Sequence, residues 1–309
     1  MSGRTSADSA PDPDVGTGVG SAPVTLDFDP LAVPISPAAT VMLVEDRPDL
    51  HVLMVRRTAR MVFASDAWVF PGGRVDPGDH EAELEQLCTG LSDAEASDIL
   101  GVPHGGLAWW LAACRETLEE AGLLLLAGDP PPGFDLAELR SRVRENESAF
   151  PDLLLERGLT LDVSAIEEVA RFITPLGSPR RFDARFFVAR TPDDQEPEHD
   201  DNEIVDWEWV RPTDALARFR AGEMTMISPT VRMVSCLARY STAGEVLEAA
   251  RRRLPYQRVR VIDPAGEYIV VLPGEPGYDE AELEVESGWI RLWDPALARG
   301  PDAAPSRPY

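Results

Sequence analysis

The chain has 309 residues, 44% of them hydrophobic, enough to bury a sizeable core in one large domain or one domain with an appendage. With 54 acidic and 29 basic residues the net charge is −25, which disfavours nonspecific nucleic-acid binding. The same acidity would repel an anionic substrate, so any phosphate site must be locally basic or filled by metal.

The stretch before Asp27 is rich in Ser, Gly, Pro and Asp and has no apolar targeting core, so residues 1–35 are expected to be a disordered tail. Folded structure is expected from near Ala38. Ala39 to Glu45 and His51 to Arg57 read as strands around the turn Asp46-Arg47-Pro48-Asp49, and Trp68 to Phe70 as a short strand feeding Gly72 and Gly73. Glu81 to Cys88 and Ser92 to Leu100 read as helices, the second opened by Ser92 and Glu95 at capping-box spacing. Leu136 to Arg144 and Phe150 to Arg157 are also expected to be helical. Residues 168–174 and 182–189 then read as strands, followed by a strand at Glu203 to Val210. Three helices are expected at Pro212 to Ala221, Pro229 to Tyr240 and Ala243 to Arg252, then a hairpin from Arg258 to Leu272 around Pro264-Ala265-Gly266. Strands interleaved with helices predict an α/β fold, an α/β/α sandwich around a mixed sheet.

Cys88, Cys114 and Cys236 lack CxxC spacing and are odd in number, which points to reduced thiols in a cytoplasmic protein. His51, His80, His104 and His199 lack the pairing of a zinc site and are expected at the surface or in loops. Apolar runs such as Leu107 to Ala113 are too short to span a bilayer.

The chemistry concentrates in Arg115-Glu116-Thr117-Leu118-Glu119-Glu120-Ala121-Gly122-Leu123. On a helix, Glu116, Glu119 and Glu120 stand at i, i+3 and i+4 and share a face. One neighbouring arginine cannot balance three carboxylates, so a divalent cation on oxygen ligands, Mg2+ or Mn2+, is the natural partner. A solvated acidic helix face is the plainer alternative. Gly122 gives the helix a proper stop, and Gly72 with Gly73 lets backbone approach a ligand closely.

These residues resemble the signature of the Nudix hydrolases: Gly, five residues, Glu, seven residues, then Arg-Glu-apolar-any-Glu-Glu-any-Gly-apolar. Arg115 to Leu123 match its second half, with Thr117 in an apolar slot, and Gly73 matches its start. Five residues on, however, stands Asp79 rather than Glu, and residues 80 to 114 fill a gap where the signature has seven positions. The first glutamate is therefore replaced by Asp79 or Asp76, or is absent. A box interrupted in this way is similar to the coenzyme A and acyl-coenzyme A diphosphatase-like branch. Arg57 and Phe70-Pro71-Gly72-Gly73 also fall in register with the coenzyme A signature of that branch, whereas Val62 and Asp66 depart from it.

The resemblance implies a Nudix domain over residues 36–240 with an insertion at about 80–106, and a C-terminal extension over 241–309. It implies hydrolysis of a diphosphate linkage in a small-molecule nucleoside diphosphate-type substrate, foremost coenzyme A or acyl-coenzyme A. ADP-ribose, a dinucleotide, or a catalytically silent ligand-binding role are alternatives. Glu116, Glu119, Glu120 and the Gly72 carbonyl would hold Mg2+ or Mn2+, and Arg115 would orient a glutamate. Glu203, or else Glu120, would act as general base, with Glu167 and Glu168 as weaker, solvated candidates. Arg57, Gly73 and Arg181 would contact substrate. Neither nucleic acid nor membrane is an expected partner, and a homodimer is left open. The insertion is expected to form a lid or substrate wall.

Overall fold

The computed structural model describes residues 28–59, 64, 66–80, 84–176, 178–198, 203–262, 269–281 and 288–293. Most of the expected N-terminal tail, residues 81–83 at the start of the first inserted helix, His199, and the turn at Pro264-Ala265-Gly266 lie outside them.

In chain order the strands are β1 (Ile35–Asp46), β2 (Leu50–Arg57), β3 (Trp68–Val69), β4 (Gly72–Arg74), β5 (Cys88–Thr89), β6 (Leu161–Asp162), β7 (Glu167–Ile173), β8 (Arg181–Arg190), β9 (Ile204–Val210), β10 (Gln257–Ile262), β11 (Ile269–Val271) and β12 (Gly288–Ile290). The helices are α1 (Leu84–Leu87), α2 (Asp93–Leu100), α3 (Leu107–Ala121), α4 (Leu136–Glu145), α5 (Phe150–Arg157), α6 (Pro212–Arg220), α7 (Ser228–Leu237) and α8 (Ala243–Arg251). β1 begins at Ile35, earlier than its apolar run indicates, because its first residues pair in parallel with Arg181 and Phe182 of β8.

Among the described residues ten strands form one mixed sheet in the order β11-β10-β12-β7-β8-β1-β2-β3, with β4 beside β1 and β9 beside β2. The strand period of two divides the core. Ala39, Val41, Leu43, Leu53, Phe187 and Ala189 face the layer of α2 to α5, whereas Met42, Val44, Met54, Phe186 and Val188 face α6 to α8. The expected α/β/α sandwich is therefore the observed architecture. Trp110 anchors α3 to the sheet: wholly buried, it donates its indole N–H to the Ile166 carbonyl at 2.9 Å and meets Phe187 edge-on at 4.9 Å.

Residues 241–309 contribute α8 and the three strands β10 to β12, which extend this same sheet through β12 and β7. Two sequence expectations are corrected. His51 is not a surface residue but lies in β2, 8% exposed, with Nδ1 2.8 Å from the Asp49 carbonyl. Glu167 and Glu168 are not solvated: Glu167 is 5% exposed and accepts from Arg253 at 3.2 Å, and Glu168 is 2% exposed and accepts a hydrogen bond from the Tyr256 hydroxyl at 2.6 Å. In both cases the strand is covered on both faces, so neighbours pointing opposite ways are buried alike.

Candidate active site around the acidic helix face

The acidic helix α3 begins without a side-chain cap of its own, since Gly106 stands at the N-cap. The insertion supplies the acceptors instead. Asp93 carboxylate oxygens receive the Gly105 N–H at 2.9 Å and the Leu107 N–H at 3.0 Å, and the Ser97 hydroxyl receives that of Gly106 at 2.9 Å. At its other end Gly122 adopts φ +70°, and its N–H reaches the Leu118 carbonyl at 2.9 Å. The expected capping box of α2 is present, with Ser92 and Glu95 bonded reciprocally.

Arg115 is the node of the site. Its side chain is fully buried, and Nη1 donates to Glu116 Oε1 at 2.9 Å and to Glu119 Oε1 at 2.8 Å. On its other side it grips Asp79 in a fork, Nε to Oδ1 at 3.2 Å and Nη2 to Oδ2 at 3.0 Å, while Nη2 also reaches the Arg74 carbonyl at 2.7 Å. Asp79 thus supports the arginine where the signature expects a glutamate. Asp76 does other work, accepting from Gly78 N–H at 2.9 Å and from the Ser148 hydroxyl at 2.6 Å.

The glycine turn presses against the same carboxylates. The Gly72 N–H donates to Glu120 Oε2 at 2.9 Å. A Cβ placed on Gly73 would lie 2.4 Å from Glu116 Oε1, so only glycine allows this approach. Burial, together with the charges of Glu120 and Glu119, pushes Glu116 well above the ordinary carboxylate range against the pull of Arg115. Burial pushes Glu119 up to about 7, again against Arg115. A hard divalent cation fits this donor set: the ligands would be carboxylate oxygens, and a double positive charge relieves both their desolvation and their mutual repulsion. Among the described residues no three carboxylates converge as a ready metal cage, Arg115 and the Gly72 N–H holding them instead.

The remaining expected residues divide. Arg57 lies at the edge of the acidic group, 3.9 Å from Glu120 and 3.8 Å from Glu203, and its buried Nε has no hydrogen-bond partner among the described residues. Glu203 is held through its carbonyl, which accepts from Thr58 N–H at 2.8 Å, while its side chain stays 57% exposed. Arg181 sits elsewhere, beside Ile35, with Nε donating to the Thr174 carbonyl at 3.0 Å. One carboxylate escaped the sequence reading. Glu147 comes within 3.9 Å of Arg115 Nη1 from the turn before α5, a turn tied down by the Ser148 to Asp76 hydrogen bond. No pattern in the sequence links that turn to the helix, because the link is tertiary.

A family model described as the NUDT19 Nudix domain matches residues 91–237. The chain is 28% identical over 284 residues to acyl-coenzyme A diphosphatase NUDT19 of Gallus gallus, spanning 75% of this chain and 74% of the relative. It is 29% identical over 280 residues to the protein of the same name from Homo sapiens, spanning 74% and 72%. Among solved structures, a Nudix hydrolase from Alicyclobacillus acidocaldarius aligns with TM-score 0.59 at 28% identity, covering 70% of this chain and 97% of that one.

Proposed function

The chain belongs to the Nudix hydrolases, and from that premise we propose that it cleaves the diphosphate linkage of coenzyme A or an acyl-coenzyme A. The observation that carries the reading is the Arg115 node, where one buried guanidinium assembles Asp79, Glu116 and Glu119 beside the glycine turn. Glu116, Glu119, Glu120 and the Gly72 carbonyl would hold Mg2+ or Mn2+. Such an ion neutralises diphosphate charge and polarises water.

The protein's own residues then divide the work. Arg115 fixes two carboxylates in orientation. Arg57, whose buried Nε has no partner among the described residues, offers a donor to a phosphate oxygen, and the Gly73 backbone lets the substrate pass close. Arg181 is the outlying member of the substrate set. Glu203, exposed and beside Arg57, takes the proton as the water oxygen bonds to phosphorus and the bridging P–O bond breaks. The products are adenosine 3′,5′-bisphosphate and a 4′-phosphopantetheine or its acylated form. Three free, buried cysteines support a reducing, cytoplasmic setting. No helix among the described residues is long and apolar enough to cross a membrane.

Chromatographic product analysis on coenzyme A, acyl-coenzyme A, ADP-ribose and dinucleotides, with Mg2+ or Mn2+ added, tests the reading. Phosphopantetheine release is expected from the coenzyme A substrates, and E119Q and E120Q should each lower kcat at least a hundredfold. No release from any coenzyme A compound would overturn the substrate assignment. Ligand binding without turnover on the whole panel would overturn the enzyme.

A further inference from the structure

The geometry points to Arg140, on α4, as the residue that positions the acidic helix face. This deepens the reading above, since it rests on Glu119 and Glu120 being working carboxylates. A helix end leaves carbonyls without intrahelical partners, and the glycine stop of α3 satisfies those of Leu118 and Thr117. The Glu119 carbonyl is taken by Arg140 instead, through Nε at 3.1 Å and Nη2 at 2.9 Å. Arg140 is only 7% exposed, so two of its donors are committed in a place where water is scarce.

The same guanidinium reaches a second segment. Nη2 also donates to the Glu198 carbonyl at 2.7 Å, and Nη1 lies 3.7 Å from the Glu198 carboxylate. Around this contact the loop after β8 is tied to the end of the helix and to the residue two beyond its stop. Glu198 N–H donates to the Ala121 carbonyl at 2.9 Å, and the Gln195 side chain bonds both the N–H and the carbonyl of Leu124 at 2.9 and 3.0 Å. A Cβ on Gly122 would come within 3.1 Å of Arg140 Nη1, so the stop residue and the arginine fit together.

One buried side chain therefore joins the backbone under Glu119 to the backbone of Glu198. A plain packing role would cost stability without a specific effect on the carboxylates. The positioning role has a sharper consequence: without Arg140, Glu119 loses its aim, while the substrate contacts at Arg57 stay in place.

The test compares R140M and R140K with wild type and E119Q, measuring Mn2+ binding without substrate, kcat and KM separately, and hydrogen exchange of the Glu198 amide. R140M is expected to bind Mn2+ about tenfold more weakly and to lose kcat at least tenfold, with KM within twofold. The Glu198 amide should exchange faster. R140K, which keeps a cation and one donor toward Glu119, should recover part of the loss. In an E119Q background R140M should add little. R218M, which breaks the half-buried ion pair of Arg218 with Glu208 outside α3, controls for general loss of charge. Wild-type Mn2+ affinity and kcat in R140M, or losses that add fully to those of E119Q, would overturn the inference. Should R140M not fold, R140K with Q195A decides on the same criteria. If E119Q and E120Q leave Mn2+ binding and turnover intact, the metal-face reading fails; if those variants lose both and R140M loses neither, only the positioning role fails.

Discussion

At the scale of single residues, the departure from the family signature is repaired locally. Asp is one methylene shorter than Glu, yet Asp79 sits in the turn directly beside Arg115 and closes a two-pronged, buried ion pair. Breaking such a pair leaves a charge without its partner in a low-dielectric setting, which costs about 3–5 kcal/mol. Arg115 keeps Glu116 and Glu119, so D79N is expected to lower stability by somewhat less, about 2–3 kcal/mol in chemical denaturation, and to lower kcat, whereas D76N, which removes a half-buried charge and keeps an acceptor oxygen, should cost less. Equal losses would mean that Asp79 is not the supporting acid. The sequence narrowed the choice to Asp76, Asp79 or neither, and could go no further. Only the folded turn shows which carboxylate faces the guanidinium.

At the scale of elements, the acidic helix was legible because three glutamates on one face and a glycine stop are local signals. The capping box of α2 and the strand pattern of β2, β7 and β8 were legible for the same reason, whereas the start of the acidic helix at Leu107 was not read. What supports the helix was not. Asp93 and Ser97 reach α3 from the insertion, and Arg140 reaches it from α4, across separations that no periodicity encodes. The described part of the insertion thus braces the N-terminal end of α3. D93A removes acceptors for two N–H groups and is expected to destabilise the protein by about 1–2 kcal/mol, read as a lower melting temperature. Substrate KM should stay within twofold if Asp93 only caps α3; a several-fold KM change would support the substrate-wall reading.

At the scale of the whole molecule, the C-terminal strands are part of the sheet that carries the site. Arg291, just after β12, donates to the Ile99 carbonyl at 2.9 Å, and Arg185 of β8 donates to the Leu100 carbonyl at 3.0 Å, so the end of α2 is held from both sides. Truncation after Arg252 would strip this contact and bare Phe172 and Ala170 along β7. The shortened chain is expected to aggregate or unfold, which light scattering and circular dichroism would register; a soluble, active product would show the strands to be dispensable. Between these segments lies Glu168, which burial pushes up to about 7 against the pull of Tyr256, Arg291 and Arg185. A carboxyl whose folded pKa is raised favours the folded state below its ordinary value near 4.5, and that advantage fades as pH rises through 7. Wild type should lose on the order of 3 kcal/mol relative to E168Q between pH 4.5 and 7.5, measured by urea denaturation. A pH-independent difference would place Glu168 ionised throughout.

Arg115 carries its positive charge inside the acidic cluster as a permanent part of the chain, pinned from behind by Asp79 and the Arg74 carbonyl. Folding and ion loading should therefore be separable events, unlike those of small zinc domains whose ligands have no counter-charge until the metal arrives. A chelator should abolish turnover and leave the circular dichroism spectrum unchanged, with a melting temperature lower by only a few degrees. The guanidinium keeps the seat in shape for whichever ion takes it.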